Sequence, residues 1–420
     1  MIAGILFFPK IKLGKISLDS YWAIALLCAL TLIICGQNDF ASVGKKLIED
    51  TAINPLKIVA LFISMTMLSV FLDEAGFFSY LAAKTLSKAK SSKKKLFLYL
   101  YLIVSFLTVF TSNDIIVLSF TPFICYFAKN AKINPLPFLA AEFVAANTWS
   151  MALIIGNPTN VYLATANGID FLSYLKVMAL PTLSGGVTAY LALRLVFAKQ
   201  LNQPFCPCEM QETLKDKPSV VFGIIMLVGC TVMLAIASYL GWEMWIIAVS
   251  FALAMSFGSI VMSLLRKRNN VCLKNTLKRA PWQLIPFVVS MFVMIITLAD
   301  KGVTSAMADI LGGGEMAELK YGASSFFVAN LVNNIPMSVL YCEIIKCAPA
   351  ADAISAVYAS VIGSNLGAFF TPVGALAGIM FGNILSKHDI KFGYAQFIKL
   401  GITVALPTLA VSLAVLTLLL

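Results

Sequence analysis

Apolar runs of membrane-spanning length follow one another from Tyr21 to Leu419, with charge confined to short stretches between them. A window of about 19 residues picks out Leu56 to Leu72, Phe171 to Phe197, Val220 to Leu240, Met244 to Leu265 and Leu284 to Leu298 among others. With 60% hydrophobic and 12% charged side chains over 420 residues, the chain has too few charges to cover a water-soluble surface. It reads as an all-α polytopic membrane protein.

The net charge of +11 does not point to nucleic acid, because the cations sit between apolar spans, where they fix orientation by staying cytoplasmic. The densest clusters are Lys84 to Lys95 and Arg266 to Arg279, both expected inside, together with the N-terminus; the acidic loop holding Asp300, Asp309, Glu315 and Glu318 then falls outside. The expected location is the cytoplasmic membrane. Nine scattered cysteines imply no disulfide framework, and Cys206-Pro207-Cys208 supplies only two of the thiolates a soft-metal site needs.

Several spans carry polar punctuation. Leu96 to Phe110 and Ile115 to Phe127 are short and separated by Thr111-Ser112-Asn113-Asp114; Tyr321 to Ile345 is split by Asn333-Asn334-Ile335-Pro336. Both read as re-entrant helical hairpins with polar tips. Two longer spans are broken, one at Gly156-Asn157-Pro158-Thr159-Asn160 and the other at Gly363-Ser364-Asn365 through Gly367 to Thr371-Pro372-Val373-Gly374. Hydrocarbon cannot solvate free backbone groups, so such breaks must face protein or a water-lined cavity.

The punctuation repeats in order. Ser64-Met65, Glu74 and Gly76 recur as Ser290-Met291, Asp300 and Gly302 at a spacing of 226; Ser112-Asn113-Asp114 faces Val332-Asn333-Asn334 at 220, and Gly156 faces Gly363 at 207. The charge clusters give the two halves opposite orientations. The expected organisation is two inverted repeats, residues 1–217 with the linker and residues 218–420, each with one hairpin and one broken helix. Such repeats are a mark of secondary transporters, whose sites lie where the repeats meet.

The groups able to bind a solute there are Ser112, Asn113, Asn157, Thr159, Asn160, Asn333, Asn334, Ser364, Asn365 and Thr371. Gly156, Pro158, Gly363, Gly367, Pro372 and Gly374 are expected to break the backbone, whereas glycines at 374, 378 and 382 also suit close helix packing. A carboxylate at the bilayer centre costs about 2.5–3.5 kcal/mol unless something compensates it. Asp114, at a hairpin tip, is the expected ion-coupling group and Glu142 the second; Asp73 and Glu74, near a span end, are expected to be hydrated. The single histidine, His388, lies in a basic loop. The chain has no His-Glu-x-x-His pair, no Walker loop and no Gly-x-Ser-x-Gly elbow, so neither an enzyme nor a metal or cofactor site is expected.

The segments Thr111 to Pro122, Ala146 to Asn160, Asn330 to Pro336 and Ile362 to Gly374 together resemble the ion transporter superfamily. They look closest to the arsenite permease and melanocyte P protein branch, with the citrate and dicarboxylate sodium symporters more distant. The resemblance implies a secondary anion carrier, often homodimeric, with two hairpins and two broken helices around a central site. In the symporters each tip reads Ser-Asn-Thr and contacts sodium and substrate carboxylates. Ser112, Asn113 and Asn333 match that pattern, while Asp114 and Asn334 depart from it as in the arsenite permease branch. The expectation is a small anion, arsenite-like first, driven by a proton or sodium gradient. A sodium/proton antiporter using Asp114 and Glu142, and a citrate or dicarboxylate symporter, remain the alternatives.

Overall fold

The computed structural model describes residues 10–13, 16–37, 43–45, 47, 49, 54–88, 92–203, 214, 216–314 and 316–420. The expectations at Lys90, Cys206, Cys208 and Glu315 lie outside these residues. A two-stranded hairpin, β1 (Lys10–Leu13) and β2 (Ile16–Asp19), pairs antiparallel ahead of the first helix. All the other regular structure among the described residues is helical.

The first half contains α1 (Ser20–Ile34), α2 (Pro55–Glu74), α3 (Phe77–Lys88), α4 (Lys93–Phe110), α5 (Asn113–Asn130), α6 (Leu136–Trp149), α7 (Pro158–Ala166) and α8 (Phe171–Val196). The second contains α9 (Lys217–Leu240), α10 (Met244–Leu265), α11 (Val271–Arg279), α12 (Leu284–Asp300), α13 (Val303–Leu311), α14 (Ala317–Val332), α15 (Asn334–Lys346), α16 (Ala353–Gly367) and α17 (Leu376–Lys387). It ends with α18 (Tyr394–Leu400) and α19 (Leu406–Leu419), joined through a π-helical turn at Gly401–Ala405. Six stretches among the described residues are long and apolar enough to cross a membrane.

Helix starts follow from local chemistry. Asn54 accepts hydrogen bonds from the amides of Leu56 and Lys57 ahead of α2, and Pro55 occupies the first turn, where no amide donor is required. Ser92 caps α4 and Asp170 caps α8 in the same way. α2 is buried over 83% of its apolar window, whereas α10 is buried over only 28% and exposes Leu253, Phe257, Leu264 and Leu265. In a membrane protein those bare side chains face lipid, and α2 belongs to the protein interior.

Element order and contacts recur between the halves. α4 and α5 meet at one tip, α14 and α15 at another. α1 packs on α12, and α10 packs on α2; α17 lies against α5, and α7 lies against α15. α8 and α19, which close the two series, pack on each other. The first half thus lends α1 and the second half α10 to the other, and each also lends the second part of its broken helix.

At one end of α2, Asp73 and Glu74 both pair with Arg279, the last residue of α11, with Arg279 Nη2 at 2.7 Å from Asp73. Tucked away at 10% and 16% side-chain exposure, these carboxylates are ion-paired rather than simply hydrated, because the α11–α12 corner folds over them. At its other end Lys57 pairs with Glu243 at the start of α10, 2.6 Å away.

The first hairpin and the break near Gly156 fall where the polar punctuation predicts. The second break does so only in its later part. α16 runs without interruption through Gly363, Ser364 and Asn365 and ends at Gly367, so Gly363 is not a break and Gly367 is the last helical residue. Gly363 is there for close packing on α14: a Cβ would sit 2.0 Å from Ser325 Oγ and 2.2 Å from the Gly322 carbonyl. The break occupies residues 368–375, with Thr371, Pro372 and Gly374 inside it. α6 and α16 end at Trp149 and Gly367, and α7 and α17 begin at Pro158 and Leu376, both pairs 218 residues apart. At that spacing Gly156 falls opposite Gly374 rather than Gly363.

Candidate substrate and ion site

The first break is held open by its own side chains. After α6, Ser150–Ala152 and Ile154–Gly156 form two 3-10 turns, with Leu153 extended between them. A Cβ on Gly156 would fall 2.1 Å from the Ser150 carbonyl, so the turn closes only around glycine. Asn157 then caps α7, accepting from the Thr159 amide at 3.2 Å, and Pro158 takes the first helical position. The carbonyls freed by the break are not left bare. Asn160 Nδ2 donates to the carbonyls of Ser150 at 2.8 Å and Leu153 at 3.1 Å.

Here the two halves meet. Asn365 on α16 accepts at Oδ1 from Ser150 Oγ (2.8 Å) and Asn157 Nδ2 (2.9 Å), and its own Nδ2 donates to Asn160 Oδ1 (2.7 Å). Thr159 Oγ1 lies 3.2 Å from Ser364 Oγ. Ser150, Asn157, Thr159, Asn160, Ser364 and Asn365 are all buried, and none of them bears a charge. In a low-dielectric interior each of these amides is costly unless paired, so the network fixes how the first break docks on the second half.

The hairpin tips tie into the breaks from either side. Asn113 Nδ2 donates to Asn147 Oδ1 on α6 at 3.0 Å, and Ser112 caps α5. In the second half, Asn333 Nδ2 donates to the Val373 carbonyl at 2.9 Å and the Asn334 amide to the Gly374 carbonyl at 3.0 Å. Thr371 Oγ1 donates to Asn330 Oδ1 at 2.7 Å. Asn333 adopts φ 77° and ψ 153°, a region that costs a non-glycine residue about 1–3 kcal/mol. Its two side-chain bonds, to Val373 and from the Ile335 amide, hold it there.

The carboxylates stand apart from this junction. Glu142, wholly buried on α6, has both oxygens near one hydroxyl, Thr121 Oγ1, at 3.2 and 3.1 Å. Asp114, in the first turn of α5, lines a cavity of about 420 Å³ with Phe62, Thr66, Arg279, Gln283 and Asn383. A second space, bordered by α2, α7, α12 and α15 and lined by Phe62, Tyr162, Leu284, Ile335 and Ser338 among others, holds only about 20 Å³. The first space is an open vestibule and the second is nearly filled. Asn147, Ser150, Asn330 and Thr66 were not singled out as site residues from the sequence. Asn147, Ser150 and Asn330 lie within the segments that carry the family resemblance, whereas Thr66 is marked only as a polar side chain within an apolar run.

A profile of the citrate transporter family matches residues 20–363. The chain belongs to that family. It is 28% identical to the arsenical pump membrane protein of Escherichia coli strain K12 over 86% of this chain and 85% of the relative. It is 26% identical to a putative arsenical pump membrane protein of Bacillus subtilis strain 168, over 90% and 89% of the two chains. These relatives place this citrate transporter family member in the arsenite permease branch of the ion transporter superfamily. Its fold is similar to that of the Alcanivorax borkumensis YdaH transporter (TM-score 0.57, 15% identity, 97% of this chain and 92% of that one). The Neisseria gonorrhoeae MtrF antimetabolite efflux pump is also similar (TM-score 0.52, 15% identity, 99% and 90%). The protein is a multi-pass membrane transporter and not an enzyme.

Proposed function

We propose that the protein is a secondary active transporter that moves a small anion, an arsenite-like oxyanion first, across the cytoplasmic membrane, coupled to a proton or sodium gradient. The observation that carries this reading is the buried junction of Ser150, Asn157, Asn160 and Asn365, where a broken helix of one half is docked on the other by uncharged donors and acceptors. Such a set suits a small hydroxylated or singly charged solute. A tricarboxylate calls for cationic partners that this cluster does not contain. The kinship with arsenical pump membrane proteins supports the same choice.

The halves 1–217 and 218–420 act as inverted repeats in this account. Arg279 lies shortly before α12 yet pairs with the end of α2, as expected if those repeat mates run in opposite directions. With the basic clusters inside, the N-terminus is cytoplasmic and the open vestibule faces the cytoplasm. The resemblance to the superfamily extends the reading to a homodimer. Asp114, on the vestibule wall, carries the coupling ion. For a sodium/proton antiporter, Asp114 and Glu142 would have to act as a pair, and no hydrogen bond among the described residues links them.

The test is solute counterflow in proteoliposomes with a panel of arsenite, phosphate, citrate and succinate, collapsing the proton and sodium gradients one at a time. Saturable counterflow of arsenite that responds to one of the two gradients is expected. Conductive, non-saturable flux would replace the carrier with a channel.

A further inference from the structure

Hydroxyls on membrane helices usually return their proton to the carbonyl four residues earlier. Ser69, Thr108, Thr297 and Thr408 do so here, bonding Met65, Val104, Val293 and Val404 at 2.7 to 3.3 Å. Thr66 on α2 does not. Its side chain is 4% exposed, and its Oγ1 has no hydrogen-bond partner among the described residues. It lines the open vestibule together with Asp114, and also the narrow gap beside the first hairpin tip, where Thr111 and Ser112 lie. An unsatisfied buried hydroxyl costs about 1–3 kcal/mol unless a ligand satisfies it, and the Asp114 carboxylate, which has no side-chain hydrogen bond among the described residues, lines the same cavity.

The repeat sharpens the point. α2 and α12 end at Glu74 and Asp300, 226 residues apart, and the tip caps Ser112 and Asn333 lie 221 apart. At those spacings Thr66 corresponds to Phe292, and Asp114 falls opposite Ile335 rather than Asn334, because the helix caps lie one residue further apart than the 220 of the sequence pattern. At these two positions the first half carries a hydroxyl and a carboxylate and the second half two apolar side chains; the hydroxyl that does line the smaller space, Ser338, donates to the Ile335 carbonyl at 2.7 Å.

From this juxtaposition we infer that Thr66 is a ligand of the coupling cation, its Oγ1 acting with the Asp114 carboxylate on the vestibule wall. A sodium ion would take both oxygens as hard ligands. With a proton as driver, Thr66 Oγ1 would accept a hydrogen bond from the protonated Asp114 carboxyl, directly or through water. This rests on the proposed coupling role of Asp114.

The experiment measures arsenite flux into proteoliposomes of the full-length protein as a function of sodium concentration in one arm and of pH in the other. It compares wild type with Thr66→Val, Thr66→Ser, Thr66→Ala and Asp114→Asn. Thr66→Val and Thr66→Ala should raise the sodium concentration for half-maximal flux about tenfold, or move the pH midpoint by about one unit, and Thr66→Ser should restore it. An unchanged ion dependence in both Thr66→Val and Thr66→Ala, with gradient-driven flux lost in Asp114→Asn, overturns the role of Thr66 and leaves that of Asp114 standing. Full gradient-driven flux in Asp114→Asn overturns both.

Discussion

Asn365 of α16 and Asn160 of α7, 205 residues apart in sequence, are joined by a 2.7 Å hydrogen bond from Asn365 Nδ2 to Asn160 Oδ1. The same Asn160 holds the Ser150 and Leu153 carbonyls through its own Nδ2, so one amide closes the first break while the other secures it to the second half.

Asn365→Ala removes the acceptor used by Ser150 Oγ and Asn157 Nδ2 and the donor to Asn160, leaving buried groups unsatisfied. Each such group costs about 1–3 kcal/mol. The melting temperature of the detergent-purified variant should fall by several degrees, and transport should be lost; an unshifted melting curve would mean that the network does not join the halves.

Glycine substitutions should separate the tight positions from the open one. Gly156→Ala places a Cβ 2.1 Å from the Ser150 carbonyl and Gly363→Ala places one 2.0 Å from Ser325 Oγ, whereas at Gly382 nothing lies within 4 Å. The first two should lose both transport and thermal stability. Gly382→Ala, in the interior of α17, should be neutral or stabilising by up to about 1 kcal/mol. Equal tolerance at all three in transport and melting assays would contradict the packing described for Gly156 and Gly363.

Arg279→Ala strips the partner from Asp73 and Glu74 at the end of α2. Arg279 is about one-third exposed, so solvent offsets part of the loss, and a destabilisation of about 1–2 kcal/mol is expected. Arg279→Lys should recover only some of it, since a single ammonium cannot span both carboxylates as the guanidinium fork does. Thermal unfolding of the two variants measures the difference.

Orientation is open to direct labelling. Single cysteines at Lys95 and Arg268, in a background without the other accessible thiols, should react with an impermeant maleimide only from the cytoplasm, and one at Asp309 only from outside. Reaction of Lys95 and Asp309 labels from the same side would remove the inverted arrangement.

The hairpin tips and the first break are legible in sequence because a polar run inside hydrocarbon leaves few alternatives to a break. Only the start of the second break departs from the sequence pattern, for a definite reason. Gly363-Ser364-Asn365 reads like punctuation, yet in the fold Gly363 admits α14 and Asn365 bonds the Val361 carbonyl and the first break, so the helix continues to Gly367. Contacts such as Arg279 with Asp73 and Glu74, or Thr66 with the wall that bears Asp114, depend on packing between distant elements, which the local pattern does not encode.

The central claim is that Asp114 couples solute movement to a cation gradient. The most direct measurement compares, in one proteoliposome preparation of Asp114→Asn, arsenite exchange at equal ion concentrations with arsenite accumulation driven by an imposed proton or sodium gradient. The amide keeps the hydrogen-bonding shape and removes the charge. Accumulation should vanish while exchange falls far less; full accumulation with an unchanged pH and sodium dependence would contradict the account and move the coupling role to Glu142.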